Sequence, residues 1–524
     1  MNLLEQKIRE VAVTHSDKLA IQGDTITLNY QQLLNEIEIA TTSLGLSSVD
    51  KRQTYAILLD NHPAWAVLDL TLLFNNQCAV PLAKFFSIKQ LKHALLDSHA
   101  EYIILDESLI NIKIINELDD IILTKESLCI AEKKLIFVRI INNTDKQSKQ
   151  NISKITYTSG TTDKPKGVLL TEDVIMSKVM SLAVACEANE TDISLSILPL
   201  STLLENIGGL YVPLYCGASI IILSPEKTGL AGSSQVNHKQ LLGVIKDYRP
   251  TAFIIIPQLL LLLVNAISKG YQLPNSLRFI AMGGAPISKN VLQLAQQFNI
   301  PVYEGYGLTE AASVIAVNNP SVNRIASVGK ILNSHTVKIS KDGEILVKHD
   351  LFSGYLGQKN REKDKFYATG DLGHFDEDNF LYITGRKKNI INTSFGRNIS
   401  PEWVEKELEA IPLIAQCVVY GHGKPALVAL LVLSESVLLE NIVGDNLNNE
   451  TIKQVNELIQ TLNIQLPDYA RISDFIITDI PFSVSNSQLT GTGRPRRESI
   501  YKVYNNQLEQ CYVKKNNVME NLSE

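Results

Sequence analysis

Apolar runs rich in β-branched residues alternate with longer helical patterns through the first three-quarters of the chain. The apolar runs lie at 54–60, 101–106, 219–223, 251–256 and 277–282. Helical patterns such as 63–76 and 287–298 separate them. Strands that are apolar throughout and separated by helices are typical of parallel sheets with helices on both faces. This part of the sequence therefore predicts an α/β fold.

The pattern changes after about residue 325, where polar and apolar residues alternate. Segment 335–350 contains two period-2 strands joined by Asp342-Gly343, which is a strong hairpin signal. Segment 366–386 predicts a second strand-turn-strand unit, with its turn at 376–379. We therefore expect a large N-terminal domain of parallel or mixed sheets covered by helices, with a β-rich subdomain at its end.

A smaller set of elements begins at Ile399. Ser400 and Pro401 are typical of an N-cap and a first helical position, and they predict a helix over 400–411. Apolar strands at 416–421 and 426–433 and a polar helix near 450–465 complete a small α+β domain. The change in pattern predicts domains at 1–385 and 386–510, followed by a tail at 511–524.

The charge balance limits the partners of the protein. The 524 residues suggest two to four core-forming units. The 49 Lys and Arg residues are outnumbered by 55 Asp and Glu residues, and the net charge of −6 gives no sequence-wide basic character for nucleic-acid binding. A charged partner must therefore be bound at a local site.

Cysteine usage and hydropathy predict a cytoplasmic protein. The six cysteines are scattered and include no C-x-x-C pair, which favours a reducing compartment over a disulfide scaffold or a zinc site. The N-terminus carries charges throughout, unlike a signal peptide. The most apolar stretch, 252–264, contains Pro257 and is shorter than the roughly 20 residues that span a bilayer. It predicts a buried strand followed by a buried helix rather than an integral membrane segment.

The strongest chemical signal is the segment YTSGTTDKPKG at 157–167, which lies between two apolar strands. Its hydroxyls, glycines and lysines offer many hydrogen-bond donors and little bulk, which suits a polyphosphate. It is not a Walker A loop, because Pro165 stands where the second glycine would be.

This segment resembles the phosphate-binding signature of the acyl-adenylate-forming superfamily, which contains acyl-CoA synthetases, beetle luciferases and peptide-synthetase adenylation domains. One residue departs from the signature, since Asp163 stands where these loops usually carry glycine. The resemblance implies that the triphosphate of ATP contacts Thr158, Ser159, Gly160, Thr161, Thr162 and Lys166.

Further motifs follow in the order and spacing of that family. GGAP at 283–286 resembles the adenine-side turn, and YEGYGLTE at 303–310 resembles the loop that contacts adenine and the α-phosphate. By this resemblance Tyr306 stacks on the base, Thr309 contacts phosphate and Glu310 holds Mg²⁺. The nucleotide-binding residues implied here are Gly284, Ala285, Pro286, Glu304, Gly305 and Tyr306.

Two more motifs lie near the predicted domain boundary. YATGD at 367–371 resembles the ribose-binding strand end, so Asp371 and Arg386 are expected to bind ribose. GRKKN at 385–389 resembles the interdomain hinge, with Lys388 as the pivot of a mobile lid domain.

SFGRNISP at 394–401 resembles the segment that enters the active site in the second half-reaction of the family. In that interpretation Gly396 leaves room for a pantetheine thiol and Arg397 meets a phosphate.

The main departure from the family lies at LTGTGRPRR (489–497). Members usually carry a lysine there, which inserts between the acyl carboxylate and the nucleotide, whereas this chain carries Arg494. The task is electrostatic and needs no proton transfer, so a permanent cation can perform it, although a guanidinium is broader and planar. A catalytic role, a supporting role and a solvated basic patch stay open for Arg494. The catalytic residues implied by the resemblance are Arg494, Lys166, Thr309 and Glu310.

The acyl side of the site departs from the family as well. Thr202 stands in LPLST (198–202) where relatives often carry a histidine that helps to shape the acyl pocket. The apolar segment 203–215 fits either the lining of an acyl tunnel or a core helix.

The resemblance covers nearly the whole chain and is strongest to bacterial AMP-forming acyl-CoA synthetases of the long-chain type. It implies a ligase that uses ATP and Mg²⁺ to convert a small carboxylic acid, expected to be a fatty acid, into acyl-AMP and pyrophosphate and then into a CoA thioester. Two alternatives remain: an enzyme that loads the phosphopantetheine of a carrier protein, and a non-catalytic nucleotide-binding homologue.

Overall fold

The structure of the protein is a computed structural model that describes most of the chain. The described residues are 2–49, 51–109, 118, 121–141, 151–158, 165–231, 235–362, 364–434, 442–443, 446–447, 449–490 and 493–520.

Helices occur from one end of the described chain to the other. They are α1 (Leu3–Thr14), α2 (Tyr30–Ser43), α3 (Pro63–Phe74), α4 (Ile88–Asp97), α5 (Glu172–Ala185), α6 (Val212–Tyr215), α7 (Pro225–Thr228), α8 (His238–Tyr248), α9 (Pro257–Ser268), α10 (Lys289–Gln297), α11 (Pro401–Glu409), α12 (Asn449–Gln465) and α13 (Arg497–Glu520). Shorter helical segments are a π-helix, Glu205–Tyr211, and the 3-10 turns Leu46–Ser48, Glu107–Leu109, Thr309–Ala311, Lys387–Asn389 and Asp468–Ala470.

Strands alternate with these helices and then follow one another directly. Those up to residue 331 are β1 (Leu19–Gln22), β2 (Thr27–Asn29), β3 (Thr54–Leu58), β4 (Cys78–Pro81), β5 (Tyr102–Asp106), β6 (Ile122–Ile130), β7 (Lys133–Ile140), β8 (Ile152–Tyr157), β9 (Gly167–Thr171), β10 (Ile193–Ser196), β11 (Ser219–Ile222), β12 (Leu230–Ala231), β13 (Gln235–Val236), β14 (Ala252–Ile255), β15 (Phe279–Met282), β16 (Val302–Leu308), β17 (Ser313–Val317) and β18 (Lys330–Ile331). The later ones are β19 (Thr336–Ile339), β20 (Glu344–Lys348), β21 (Gly354–Tyr355), β22 (Tyr367–Phe375), β23 (Leu381–Arg386), β24 (Ile391–Asn392), β25 (Asn398–Ile399), β26 (Ile414–Tyr420), β27 (Leu427–Leu433), β28 (Ile442–Val443), β29 (Asn446–Leu447) and β30 (Ile472–Thr478).

Two large sheets form most of the N-terminal domain. One has nine strands in the order β18-β17-β16-β15-β14-β10-β11-β1-β2, and the other has eight in the order β21-β9-β8-β4-β3-β5-β7-β6. The inner strands β10, β11, β14, β15 and β16 pair in parallel, as do β3, β4, β5 and β8. The predicted α/β fold is confirmed, because parallel pairing needs the helical crossovers that the sequence pattern indicated.

The predicted β-rich subdomain is a four-stranded antiparallel sheet in the order β19-β20-β22-β23. Gly343 has a φ of +82° at the turn between β19 and β20, which explains the glycine of the Asp-Gly pair. The polar turn near Asp376 joins β22 to β23, and both hairpins predicted from the sequence are confirmed.

The C-terminal sheet β26-β27-β30 and helices α11, α12 and α13 form a separate core, called the small domain below. Ser400 occupies the predicted N-cap of α11, and its hydroxyl donates to Glu402 Oε2 at 3.0 Å rather than accepting from a backbone amide of the first turn. Helix α13 runs past position 510, and Cys511 is buried. The domain boundaries at 385 and 510 stay predictions.

The most apolar stretch of the sequence lies inside the N-terminal domain. It forms the strand β14 and the helix α9, and Phe253, Ile255, Leu260 and Leu263 are at most 1% exposed. In the part of the chain that the structure describes, no helix is both long and apolar enough to cross a membrane.

A buried ion pair lies between the two large sheets. The Lys154 ammonium on β8 contacts both carboxylate oxygens of Asp69 on α3, at 2.8 and 3.0 Å, and these side chains are 2% and 0% exposed. Asn206 and Tyr211 of the π-helix complete the cluster, since both donate to Asp69 and both accept from Lys154. The cluster therefore fixes the strand that leads to segment 157–167 against the π-helix.

We predict that Lys154→Met lowers the free energy of unfolding by about 3–5 kcal/mol, because it leaves the Asp69 carboxylate buried and unpaired. Urea titration measures the effect, with Lys341→Met on an exposed turn as the matched control. The double variant Asp69→Asn/Lys154→Met should lose less than the single variant. A Lys154→Met protein as stable as the control would contradict this role of the pair.

Candidate active site

Two of the motifs singled out in the sequence, 283–286 and 303–310, lie at the carboxyl ends of neighbouring strands of the nine-stranded sheet. The end of the sheet formed by these strand ends is called its nucleotide edge below. Strand β15 is followed by a turn at Gly284, whose φ of +91° lies in the region that favours glycine. Strand β16 ends in the 3-10 turn that carries Thr309 and Glu310. Gly307 lies where β16 approaches β17, and a Cβ there would be 1.6 Å from the carbonyl oxygen of Ser313. These glycines therefore permit the close backbone geometry at this edge.

Asp371 is the centre of a hydrogen-bonded cluster at this edge. The Tyr306 hydroxyl donates to Asp371 Oδ2 at 2.8 Å, and Arg386 Nε donates to Oδ1 at 2.7 Å. Burial and then the charge of Asp371 raise the pKa of Tyr306, which keeps the phenol protonated and able to donate. The structure thus brings together three residues that the sequence assigned to adenine and ribose.

Glu310 lies in a second cluster, on the side of the phosphate segment. The hydroxyl of Tyr355 donates to Glu310 Oε1 at 2.7 Å and lies 3.0 Å from the hydroxyl of Tyr367. The Lys166 ammonium lies 5.1 Å from the centre of the Tyr355 ring. Tyr355 was missed by the sequence analysis, because a single tyrosine in an irregular segment carries no motif.

Arg494 crosses from the small domain to the N-terminal domain. Its Nε and Nη2 donate to the carbonyl oxygen of Gly284 at 3.0 and 2.8 Å. The side chain is exposed in an open cleft, and the surrounding protein atoms, which displace part of its water, and then the charge of Arg386 lower its pKa. A guanidinium remains protonated under these conditions, so Arg494 supplies a positive charge beside the adenine-side turn.

A cavity of about 320 Å³ begins at this edge and continues into the domain. Arg494, Thr309, Tyr306 and Gly284 line its outer part. Its interior is lined mainly by apolar side chains, including Leu182, Leu203, Val212, Phe253, Ile254 and Met282. The nucleotide-side residues and an apolar chamber therefore share one continuous space.

The turn after β10 forms part of the cavity wall. Asn61 fixes this turn, since its amide donates to the Leu198 carbonyl oxygen at 2.8 Å and its Oδ1 accepts from the Leu200 amide at 2.8 Å. Thr202 lines the cavity and donates to the Pro199 carbonyl oxygen at 2.7 Å. In segment 203–215 the π-helix and α6 line the cavity and also pack in the core, and the acyl tunnel stays a prediction.

The remaining residues assigned from the sequence fall into several groups. Ser159, Gly160, Thr161, Thr162 and the departing Asp163 lie outside the described residues. The Thr158 amide donates to the Lys166 carbonyl oxygen at 3.1 Å and closes the base of that segment.

Glu304 and Gly305 lie on β16, and Ala285 and Pro286 continue the turn at Gly284. Burial raises the pKa of Glu304 to about 7, and its Oε2 has no hydrogen-bond partner among the described residues. A carboxyl group in this state is partly protonated at neutral pH.

The hinge and second-half-reaction residues lie apart from the cavity. Lys388 is exposed in the 3-10 turn that follows β23. Gly396 and Arg397 lie at the turn between β24 and β25, where Gly396 has a φ of +72°, and neither lines the cavity. Their expected roles in the hinge and in the second half-reaction stay predictions.

Comparison with known protein families matches almost the whole chain. A family described as AMP-binding enzyme matches residues 8–356, and one described as AMP-binding enzyme C-terminal domain matches residues 388–516.

Two kinds of ligase are found among the curated relatives. The long-chain-fatty-acid–CoA ligase FadD15 of Mycobacterium bovis is 24% identical, over 94% of this chain and 94% of its own length. The 2-succinylbenzoate–CoA ligase of Bacillus licheniformis is 32% identical, over 51% of this chain and 56% of its own length.

Solved structures share the fold. The o-succinylbenzoate CoA synthetase of Bacillus subtilis, in complex with the intermediate OSB-AMP, superposes with a TM-score of 0.74 at 24% identity, covering 95% of this chain and 97% of that one. The same protein in complex with ATP and magnesium ion superposes with a TM-score of 0.72 at 23% identity, covering 97% and 99%. The CoA ligases of this family use ATP with Mg²⁺ and CoA. With its motifs, its fold and both family matches in agreement, the chain belongs to the family of AMP-binding enzymes.

Proposed function

We propose that the protein is an AMP-forming acid–CoA ligase whose acid substrate is a fatty acid. The observation that carries this proposal is that one continuous cavity contains both an apolar chamber and the side chains of Tyr306, Thr309 and Arg494. An enzyme that joins an apolar acid to a nucleotide needs both environments in contact. The full-length similarity to a long-chain-fatty-acid–CoA ligase supports the same assignment.

The first half-reaction joins the acid to AMP. A carboxylate oxygen attacks the α-phosphorus of ATP, the bond to the β-phosphate breaks, and pyrophosphate leaves with the bonding electrons. Two anionic groups must approach each other, so a fixed cation between them lowers the barrier. Arg494 is positioned for this task, because its guanidinium lies at the mouth of the apolar chamber on the carbonyl of Gly284.

The nucleotide would be held by the clusters at the sheet edge. In this proposal the ribose hydroxyls donate to the Asp371 carboxylate, Tyr306 contacts the base, and Lys166 and Thr309 contact phosphate. Bound Mg²⁺ would neutralise phosphate charge. Glu310 fits such an ion, since Mg²⁺ in nucleotide sites commonly has one or two carboxylate ligands and takes its other ligands from phosphate and water.

The second half-reaction transfers the acyl group to CoA. The thiolate attacks the acyl carbon of the mixed anhydride and AMP leaves. We infer that the small domain rotates about Lys388, which withdraws Arg494 and brings Gly396 and Arg397 to the site. One cleft then serves both half-reactions.

Acid-dependent exchange between ATP and labelled pyrophosphate tests the proposed function over a panel of fatty, aromatic and amino acids. We expect exchange with fatty acids, and consumption of CoA with the same acids. If none of the acids supports exchange, the result would favour a non-catalytic nucleotide-binding protein. Exchange without CoA consumption would favour the loading of a carrier protein.

Arg494→Ala should lower the exchange rate by about 10²–10³-fold, because it removes the cation from the reacting groups. Arg494→Lys should recover much of this loss, since the charge is restored. The matched control is Arg139→Ala on the exposed side of β7, which should retain the wild-type rate. A full exchange rate in Arg494→Ala would remove this residue from the mechanism.

Asp371→Asn should raise the KM for ATP by about 10- to 150-fold, the factor expected for a lost hydrogen bond to a charged group. Steady-state exchange kinetics at saturating acid measure it. Asp378→Asn, at an exposed aspartate of the same subdomain, should leave the KM unchanged. An equal effect of the two substitutions would argue against a ribose contact.

A further inference from the structure

The cavity runs along the strands of the nine-stranded sheet, from their carboxyl ends to their amino ends. Strands β10, β14 and β15 are parallel and in register, with Ser194 opposite Ala252 and Ala252 opposite Phe279. Cavity-lining residues occur at both ends of these strands. Those near the amino ends are Asp192, Ala252 and Arg278, and those near the carboxyl ends are Leu198, Ile256 and Gly284. Each strand has four residues, which span about 13 Å. The cavity therefore reaches about that far inward from the nucleotide side.

The walls along this path are apolar. The π-helix and α6 contribute Gly208, Val212 and Pro213, and the sheet contributes Phe253 and Ile254. Gly208 packs closely against the sheet, because a Cβ there would lie 2.9 Å from Ile254 Cδ1. An acyl chain that enters from Arg494 would lose water along most of its length, and each buried methylene should improve binding about fourfold.

At the amino ends of these strands the cavity has a different character, because an ion pair between Asp192 and Arg278 lies there, with side chains 7% and 30% exposed. Arg278 Nε donates to Asp192 Oδ1 at 2.8 Å, and Nη2 donates to Asp192 Oδ2. The same guanidinium donates to the carbonyl oxygens of Cys186 and Glu187, at 3.3 and 3.0 Å. It therefore joins the loop after α5 to the starting ends of β10 and β15.

Asp192 is fixed from its other side as well. Thr251 Oγ1 donates to Asp192 Oδ1 at 2.7 Å, and the Asn189 amide donates to Oδ2 at 3.0 Å. Burial alone would raise the pKa of Asp192, but these hydrogen bonds and the one from Arg278 lower it. The pair is thus charged, mutually neutralised and rigidly placed.

The geometry points to the Asp192–Arg278 pair as the group that sets the chain length of the acid. This inference rests on the proposed function and deepens it. A methylene that reaches the pair must remove water from charged groups, so the gain per carbon stops there. A second carboxylate at the far end of the acid would gain little from Arg278, because Asp192 already compensates the charge of that arginine. The site therefore selects monocarboxylic acids up to a fixed length.

The test is the chain-length profile of ATP–pyrophosphate exchange with saturated fatty acids, scored as the apparent second-order rate for each acid. In the wild-type protein we expect the apparent second-order rate to rise about fourfold for each added methylene. Beyond a certain chain length the rate should stop rising abruptly. An α,ω-dicarboxylic acid of the best length should be a poor substrate.

Two variants move the limit in opposite directions. Asp192→Asn/Arg278→Met replaces the charged pair with neutral groups and should admit longer chains, with about a fourfold gain for each added methylene. Ala188→Phe adds bulk beside the pair and should shorten the limit while short acids keep their rates. Ala415→Phe, on the exposed side of β26, is the matched control and should leave the profile unchanged.

The possible outcomes separate the two proposals. A wild-type profile without a limit, preferred use of the dicarboxylic acid, or an Ala188→Phe profile that equals the wild-type one would overturn the chain-length role and leave the ligase function intact. If none of the acids supports exchange, the proposed function itself would be overturned. If thermal melting shows that the double variant does not fold, Ala188→Phe alone decides.

Discussion

Arg494 of the small domain donates two hydrogen bonds to the carbonyl oxygen of Gly284 in the N-terminal domain. In the proposed function this contact supplies a cation where the Asp371 and Glu310 clusters meet the apolar chamber. Adenylation brings a carboxylate towards a polyphosphate, and the repulsion between these anions is the physical constraint on the reaction. In the proposed function the Arg494 guanidinium meets this constraint with a permanent charge, at a position where lysine is usual in the family.

The support for this arrangement lies one layer deeper. The buried Lys154–Asp69 pair holds β8, which leads to the phosphate segment, against the π-helix that lines the apolar chamber. Breaking such a pair is costly because one charge would stay buried without a partner. The same cluster therefore supports both the strand that leads to segment 157–167 and the π-helix that lines the apolar chamber.

Much of this could be predicted from the sequence, and the exceptions have physical reasons. The parallel strands followed from apolar runs, and Tyr306, Asp371 and Arg386 followed from motifs whose spacing is local. Tyr355 could not be predicted, because its contact with Glu310 depends on how distant segments pack. The Asp192–Arg278 pair joins residues 86 positions apart, and only the register of parallel strands brings them together. Ser400 begins α11 as predicted, but its hydrogen bond to Glu402 depends on a side-chain orientation that the sequence does not give.

The central claim is that the nucleotide cluster and the apolar chamber form one active site joined at Arg494. Calorimetric titration with a non-reactive acyl-adenylate analogue tests it most directly, because only a continuous site binds both halves at once. The account predicts that the analogue binds at least about 10²-fold more tightly than AMP or the fatty acid alone. It also predicts that Arg494→Ala loses most of this advantage. An analogue that binds no more tightly than AMP would contradict the account.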